Sequence, residues 1–125
     1  MELTIEKALQ QGIVAHKSGQ LEKAEQLYRF ILEFTPKHSD ANHNLAVLLA
    51  ASKDIDNALM HFKIALETQP SRGQYWVSYI ETLIRADKIK DAAYMLQQGQ
   101  EIGLKGTVVD QLKNHLQLLQ KKNRV

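Results

Sequence analysis

The chain has 125 residues, and its 16 basic and 14 acidic residues give a formal net charge of +2. Charges this balanced give no electrostatic reason to expect nucleic acid or a membrane surface as a partner. The chain is long enough to bury a core, and its lack of cysteine excludes a disulfide framework and thiolate chemistry.

The first segment, MELTIEKALQQG, has an early acidic residue and no apolar run. It lacks the pattern of a signal peptide, and no later stretch approaches the roughly 18 consecutive apolar residues of a membrane span. We therefore expect a cytoplasmic protein.

Apolar residues spaced by three and four predict helices that follow one another in pairs. The first pair covers about 4–17 and 21–35, with Gly19 in the turn and Pro36 just after the second helix. Proline cannot continue a helix, so Pro36 marks its end. The residues of the second helix expected to face inward are Leu21, Ala24, Leu27, Tyr28 and Ile31.

The second pair covers about 40–51 and 55–68, separated by the polar break SKD and followed by Pro70. Asp54 is expected to cap the start of its second helix, because an aspartate side chain can accept a free backbone N–H there. The expected inward residues of that helix are Ile55, Ala58, Leu59, Phe62, Ala65 and Leu66.

The third pair covers about 74–86 and 88–102, with Asp87 as the expected cap of its second helix. It ends in GLKG rather than proline, and glycine at a helix end can adopt the left-handed conformation. A last helix over 107–122 should cover the flank of this pair as a solvating cap rather than as a ligand site. Its apolar stripe comprises Val108, Val109, Leu112, Leu116 and Leu119.

The helix pairs recur with a constant period in the sequence. Ala24 and Ala58 are separated by the same number of residues as Pro36 and Pro70. The repeats are 5–38, 39–72 and 73–106, followed by a capping helix at 107–122. Equal repeats joined by short turns predict an all-α, right-handed solenoid of seven helices, forming one domain over 1–125.

This register resembles the tetratricopeptide repeat, a helix–turn–helix unit of about 34 residues. The second repeat carries the resemblance most fully, whereas the first has Ala8 where a large residue is usual and the third lacks the closing proline. The matching residues are Gly12, Ala24, Tyr28 and Pro36 in the first repeat, Leu45, Ala46, Leu49, Ala58, Phe62, Ala65 and Pro70 in the second, and Trp76, Leu83 and Ala92 in the third.

The resemblance implies a non-catalytic scaffold that binds a peptide or protein segment in a concave groove lined by the first helix of each repeat. Mapped onto this chain, the groove residues are Leu9, Gln10, Ile13, His16, Lys17, His43, Asn44, Val47, Val77, Ser78, Glu81, Ile84 and Arg85. An apolar patch with a polar rim is typical of a binding surface. The alternative is that these residues only line the groove and bind no partner, or that another part of a longer chain fills it.

Within that groove, Gln10, Asn44 and Ser78 recur at the repeat spacing and could hold an extended backbone.

The resemblance also indicates which ligands should not bind. Family members that bind the acidic C-terminal peptides of heat-shock chaperones hold the carboxylates with lysine, arginine and asparagine. Only Asn44 matches that clamp here, and its other places hold Leu9, Ile13, Gln74 and Ser78.

Residues with catalytic or metal-binding chemistry form no recognisable set. No pair of the five histidines has the i, i+4 spacing with a nearby carboxylate that a helical zinc site uses, although His16 and His43 could approach each other across adjacent helices. Trp76 and its neighbouring tyrosines fit core packing better than a base-stacking platform. We expect no enzyme activity, metal, cofactor, nucleic acid or membrane, and a monomer or weak homo-oligomer.

The stretch ANHNLAVLLA at 41–50 resembles the superhelical repeats that precede O-linked N-acetylglucosamine transferase domains. It also resembles bacterial repeat proteins fused to glycosyltransferase or sulfotransferase modules, so a bacterial source is expected. The alternative function is therefore an N-terminal, substrate-positioning module of a larger enzyme whose catalytic domain lies downstream.

Overall fold

The structure is a computed structural model that describes residues 3–122, and these residues form seven α-helices and no β-strand. The helices are α1 (Ile5–Lys17), α2 (Leu21–Phe34), α3 (Ser39–Ala51), α4 (Ile55–Thr68), α5 (Gly73–Arg85), α6 (Ile89–Glu101) and α7 (Thr107–Lys122). Residues 1–2 and 123–125, the ends of the predicted domain, lie outside the described residues. No helix within 3–122 combines the length and apolar character that crossing a bilayer requires.

The helix starts reproduce the predicted period. The helices α1, α3, α5 and α7 begin at Ile5, Ser39, Gly73 and Thr107, so that each start follows the last by one full repeat. Every predicted helix boundary lies within one residue of the observed one. The prediction of an all-α chain of three helix pairs followed by a seventh helix is therefore confirmed.

The described residues fall into two compact units that divide between Gln69 and Pro70. In the first unit, α1 packs on α2, α2 on α3, and α3 on α4, while α1 also touches α3. In the second unit, α5 packs on α6, and α7 contacts both of them. Each unit thus buries the apolar faces of its own helices.

Each helix pair contains one completely buried alanine at the same position of the repeat. Ala24, Ala58 and Ala92 recur at the repeat spacing, and none has any exposed surface. A side chain that ends at Cβ lets two helices approach towards the short end of the roughly 8–10 Å interaxial range. The complete burial of all three confirms the predicted register.

The turn inside each helix pair has the same backbone geometry. Gly19, Lys53 and Asp87 have φ values of 81°, 68° and 58°, in the left-handed region. In each turn the following residue donates its N–H to a carbonyl five residues earlier, as Gln20 does to Ala15 at 2.8 Å. This is the Schellman arrangement, which satisfies carbonyls left free at a helix end.

Of the two predicted helix caps, Asp54 is at the predicted position and Asp87 is not. Asp87 is not the cap of α6, because it occupies the left-handed turn position and Lys88 follows it as the N-cap. Asp54 is the N-cap residue of α4, but its carboxylate accepts the Asn57 side-chain amide at 2.9 and 3.1 Å rather than a backbone N–H.

Two apolar residues predicted to be buried are exposed. Leu21 has an exposed fraction of 48%; it is the first residue of α2, and helical side chains lean towards the N-terminal end, away from the packed stretch. Val108 is also 48% exposed. Successive helical residues point about 100° apart, so Val108 cannot share the buried direction of Val109.

The last helix docks as predicted. Val109, Leu112 and Leu116 are buried, whereas Leu118 has an exposed fraction of 67%. The turn before α7 contains Gly103 with φ of 105°, which supplies the expected left-handed end of α6.

Candidate functional site

In the first unit, the predicted groove residues of α1 and α3 form a surface that we call the α1–α3 strip. It is defined by Leu9, Ile13, His16, His43, Asn44 and Val47, all of which are half-buried. The two helices touch each other, so the strip follows from their packing. Half-buried side chains leave part of their surface for contact with a partner.

Aromatic residues of the second helices support both histidines of the strip. The His16 ring lies edge-on to Tyr28 with centroids 6.3 Å apart, and its Nδ1 lies 3.5 Å from the tyrosine hydroxyl. The His43 ring lies edge-on to Phe62 at 5.5 Å. Burial raises the pKa of the Tyr28 hydroxyl above its ordinary value, so that group stays protonated and able to donate at neutral pH.

No group of three or more His, Cys, Asp or Glu among residues 3–122 is arranged to hold a metal ion. The possible approach of His16 and His43 therefore does not form part of such a group. Their observed partners are the aromatic rings behind them, and His43 Nδ1 also lies 3.4 Å from Asn44 Oδ1.

Two further predicted residues of α1 are exposed. Lys17 lies in the last turn of the helix, where a cation interacts favourably with the helix dipole. Gln10 lines a separate hollow of about 320 Å³ together with Val14 of α1 and Lys23 of α2.

In the second unit, two of the predicted residues of α5 offer little accessible surface. Val77 and Ser78 are each only 8% exposed. Ser78 also accepts a hydrogen bond from the Gln74 side chain at 3.0 Å. A ligand that reached Ser78 would have to compete with this hydrogen bond.

The other three predicted residues of α5, Glu81, Ile84 and Arg85, line a cavity of about 470 Å³ that we call the α5–α7 cavity. The opposite side is formed by α7, which contributes Val108, Gln111, Leu112 and His115. This volume lies in the range of about 300–1,000 Å³ that ligand clefts in proteins occupy.

The contribution of α7 to this cavity was not predicted, because the sequence pattern assigned that helix to capping alone. The sequence does contain a signal for this lining role, because α7 begins one full repeat after α5. The four residues of α7 that line the cavity each lie one full repeat after a groove-facing position of α5. Those positions of α5 are Gln74, Val77, Ser78 and Glu81. The helix therefore stands where the first helix of a fourth repeat would stand, and it both caps the unit and lines the cavity.

The α5–α7 cavity combines apolar side chains with polar and charged ones. Ile84 and Val108 provide accessible apolar surface, whereas Leu112 is only 7% exposed and adds little, and Gln111 provides both a donor and an acceptor. The rim carries one carboxylate, on Glu81, and one guanidinium, on Arg85, whose opposite charges offset each other. Apolar surface with a few polar groups at its edge can hold an uncharged side chain and orient its backbone.

Comparison with known proteins places the chain among helical repeat proteins, although no protein-family model matches it. It is 32% identical over 97 residues to the regulatory protein RapD of Bacillus subtilis, an alignment that covers 67% of this chain and 27% of RapD. The chain thus spans about a quarter of the length of this relative.

Solved structures show the same fold at low sequence identity. The translocator chaperone SycD of Yersinia enterocolitica superposes with a TM-score of 0.83 and 15% identity, covering 98% of this chain and 87% of SycD. The first TPR of Spaghetti (RPAP3), bound to the HSP90 peptide SRMEEVD, gives 0.81 and 14%, covering 97% and 94%.

The predicted likeness to a glycosyltransferase repeat region is also found. The Thermobaculum terrenum O-GlcNAc transferase gives a TM-score of 0.71 at 20% identity, covering 79% of this chain and 19% of that protein. The residue register, the helix bounds and these superpositions agree, and the chain has the tetratricopeptide-repeat fold.

Proposed function

We propose that this chain is a non-catalytic domain that binds a protein segment on surfaces lined by α1, α3, α5 and α7. The observation that carries the proposal is the α5–α7 cavity, which joins three sequence-predicted groove residues to four residues of the last helix. In the first unit, the half-buried residues of the α1–α3 strip provide a second contact surface.

Proteins of the same fold support a partner of this class. The RPAP3 domain is bound to a peptide, and SycD is a chaperone of a secretion translocator. The chemistry of this chain selects its own ligand, however, because the uncharged residues Leu9, Gln74 and Ser78 stand where the acidic-peptide clamp needs cations.

The ligand that fits best is a segment with apolar side chains and no charge at the contact point. Ile84 and Val108 would receive an apolar side chain, which gains about 25 cal/mol for each Å² of apolar surface removed from water. A carboxylate in the same place would lose its hydration, and because the charges of Glu81 and Arg85 at the rim offset each other, no net positive charge would compensate for that loss.

A random dodecapeptide phage library, selected on the wild-type chain, provides a probe that assumes no partner. We expect enriched peptides to share apolar residues. Synthetic versions should lose at least tenfold in affinity for Val108→Glu, because the new carboxylate would stand at the apolar lining of the cavity.

The matched control is Leu118→Glu, which places the same charge on α7 at a site that is 67% exposed and does not line the cavity. The selected peptides should bind this variant as tightly as the wild type. Equal binding to Val108→Glu and wild type, or equal losses in both variants, would show that the α5–α7 cavity is not the site.

The similarity to the O-GlcNAc transferase supports one alternative, a substrate-positioning module of a larger transferase. In that case the protein in its native cells is much larger than the 14.2 kDa of this sequence. An immunoblot of native cells with an antibody against residues 3–122 separates the two proposals. A band near 14 kDa favours the independent scaffold, and a band several times larger favours the module.

A further inference from the structure

The link between α6 and α7 is anchored by a single side chain. Of residues 102–106, only Leu104 is half-buried, and the other four are exposed. The Leu104 N–H donates to the Gly99 carbonyl at 2.8 Å, which is the Schellman hydrogen bond at the end of α6. Gly103 and Gly106 of the same link have positive φ, at 105° and 124°, and no atom lies close to where their side chains would be.

The Leu104 side chain lies in a space left by two glycines, which we call the glycine notch. Its sides are Gly99 in the last turn of α6 and Gly73 at the start of α5. A Cβ on Gly99 would lie 2.7 Å from Leu104 Cδ2, and a Cβ on Gly73 would lie 3.5 Å from Leu104 Cδ1. The Trp76 ring borders the notch, since its Cε3 would lie 3.1 Å from the same Gly99 Cβ. Leu104 therefore reaches both of the helices that α7 contacts.

The first two repeats hold different residues at these positions. Leu104 follows Pro36 and Pro70 at the repeat spacing, and Gly99 follows Ile31 and Ala65. The proline ring fixes the backbone where it stands, whereas leucine leaves φ free and fixes the chain only through its contacts. In the third repeat, a large side chain packed against a glycine thus takes the place of a covalent restraint.

The position of this link bears directly on the α5–α7 cavity. The wall formed by α7 begins at Val108, four residues after Leu104, and continues through Gln111, Leu112 and His115. The opposite wall belongs to α5, whose first residue is Gly73 of the notch. A displacement of Leu104 would therefore be passed to the first turn of α7 and would change the separation of the two walls.

We propose that Leu104 is a positioning residue, whose seat in the glycine notch holds α7 in place and so sets the width of the α5–α7 cavity. Its consequence for binding rests on the proposed function, whereas its effect on α7 does not. A second cavity of about 200 Å³ adjoins Leu104 and is bordered by Trp76, Ile102 and Lys105. This space can receive the leucine when it leaves the notch, so that α7 can shift while the unit stays folded.

Two matched substitutions test the notch. Gly99→Ala places a methyl group 2.7 Å from Leu104 Cδ2, which is too close for the leucine to stay where it is. Gly73→Ala adds the same methyl group on the other side of the notch, at 3.5 Å, which is an ordinary van der Waals contact. We expect Leu104 to move in the first variant and to keep its place in the second.

The position of α7 can be measured without a ligand. The chain has no cysteine, so Gln97→Cys on α6 and Gln117→Cys on α7, both at exposed sites, allow two nitroxide labels to be attached. Pulsed electron paramagnetic resonance then gives the distance between the labels. We expect one narrow distribution in the labelled parent and in Gly73→Ala, and a shifted or broader one in Gly99→Ala. An unchanged distribution in Gly99→Ala would overturn the proposal.

A double variant separates Leu104 from Trp76, which the new methyl group also approaches. Leu104→Ala empties the notch and should itself shift or broaden the distribution. Adding Gly99→Ala to Leu104→Ala should then change nothing further, because the side chain that it displaces is gone. A further change of the same size as in the parent would show that Gly99 acts through Trp76, and would contradict the role of Leu104.

The peptides selected by phage display test the consequence for binding. They should bind Gly99→Ala severalfold more weakly than wild type, because a binding site must be held within about 0.5 Å of its productive geometry. Gly73→Ala should bind them as wild type does. If Val108→Glu weakens binding but Gly99→Ala does not, Leu104 does not control the cavity. If Val108→Glu has no effect, the proposed function fails, and the distance measurement still decides whether Leu104 positions α7.

Discussion

At the scale of single residues, the turn within each helix pair shows how one backbone conformation is filled by three different amino acids. Gly19 adopts positive φ without cost, whereas Lys53 and Asp87 hold a side chain in the same region. A residue with a Cβ in the left-handed region costs roughly 1–2 kcal/mol more than glycine. The first turn is therefore relaxed, and the other two carry strain.

Replacement at these turns should move stability in opposite directions. A Cβ added to Gly19 meets no atom within 4 Å, so Gly19→Ala should lower the free energy of unfolding by about 1 kcal/mol through the backbone alone. Lys53→Gly should raise it by a smaller amount, because glycine also gives the unfolded chain more freedom. Urea denaturation measures both, and a loss of stability in Lys53→Gly equal to that in Gly19→Ala would contradict this account.

Some residue-level features could not be predicted from the sequence. Asn42 and His61 lie 19 residues apart on different helices, and their contact depends on how α3 and α4 pack. The exposure of Val108 likewise depends on the rotation of α7 about its axis. A periodic sequence pattern identifies the buried face of a helix only to within about one residue. Because neighbouring side chains point about 100° apart, an error of one residue can exchange a buried position for an exposed one.

At the scale of helices, the ends of each helix were predictable because prolines, glycines and polar segments interrupt the apolar pattern. Pro36 and Pro70 come just after α2 and α4, and Gly103 comes just after α6. The second role of α7 was not recognised, because its stripe of Val109, Leu112 and Leu116 is what a simple cap also requires. The repeat spacing of its start, rather than its composition, carries the evidence for a lining helix.

Docking of α7 should contribute strongly to the stability of the second unit. Leu112 is 7% exposed, so Leu112→Ala should cost roughly 2–5 kcal/mol, the usual range for a buried leucine. Leu118→Ala on the same helix is the control, and at an exposed site it should cost less than about 0.5 kcal/mol. Chemical denaturation that gives equal, small losses for the two variants would mean that α7 does not dock.

The contact between α3 and α4 should not tolerate a larger side chain. Ala58 has no exposed surface, and Ala58→Leu should overpack the pair and cost roughly 1–3 kcal/mol. Thermal unfolding followed by circular dichroism measures the effect. A variant as stable as the wild type with an unchanged helical signal would contradict the tight packing of Ala58.

At the scale of the whole chain, the fold was predictable and the ligand was not. The repeat register determines which helices come first in each pair, and the superpositions with SycD and RPAP3 confirm the resulting fold. The partner depends on which side chains remain accessible, and Val77 and Ser78 show that a groove position in the register can still be buried.

The accessible side chains predict that acidic C-terminal peptides do not bind. The peptide SRMEEVD, which the RPAP3 domain binds, is a direct probe. Leu9, Ile13 and Gln74 stand here where the clamp needs lysine or asparagine, so the buried carboxylates would lose several kcal/mol of hydration without a cation to offset it. Calorimetry should show no heat of binding at micromolar concentrations, and micromolar affinity would contradict the prediction.

The most direct test of the central claim is to map a selected peptide onto the chain by NMR. The peptide comes from the phage selection on the wild-type chain and is titrated into isotope-labelled protein while the amide signals are recorded. We predict that the largest shifts lie on the first helices of the pairs or on α7, at the α5–α7 cavity or at the α1–α3 strip. Shifts concentrated on α2, α4 and α6 would place the ligand on the other helices of each pair and contradict the claim.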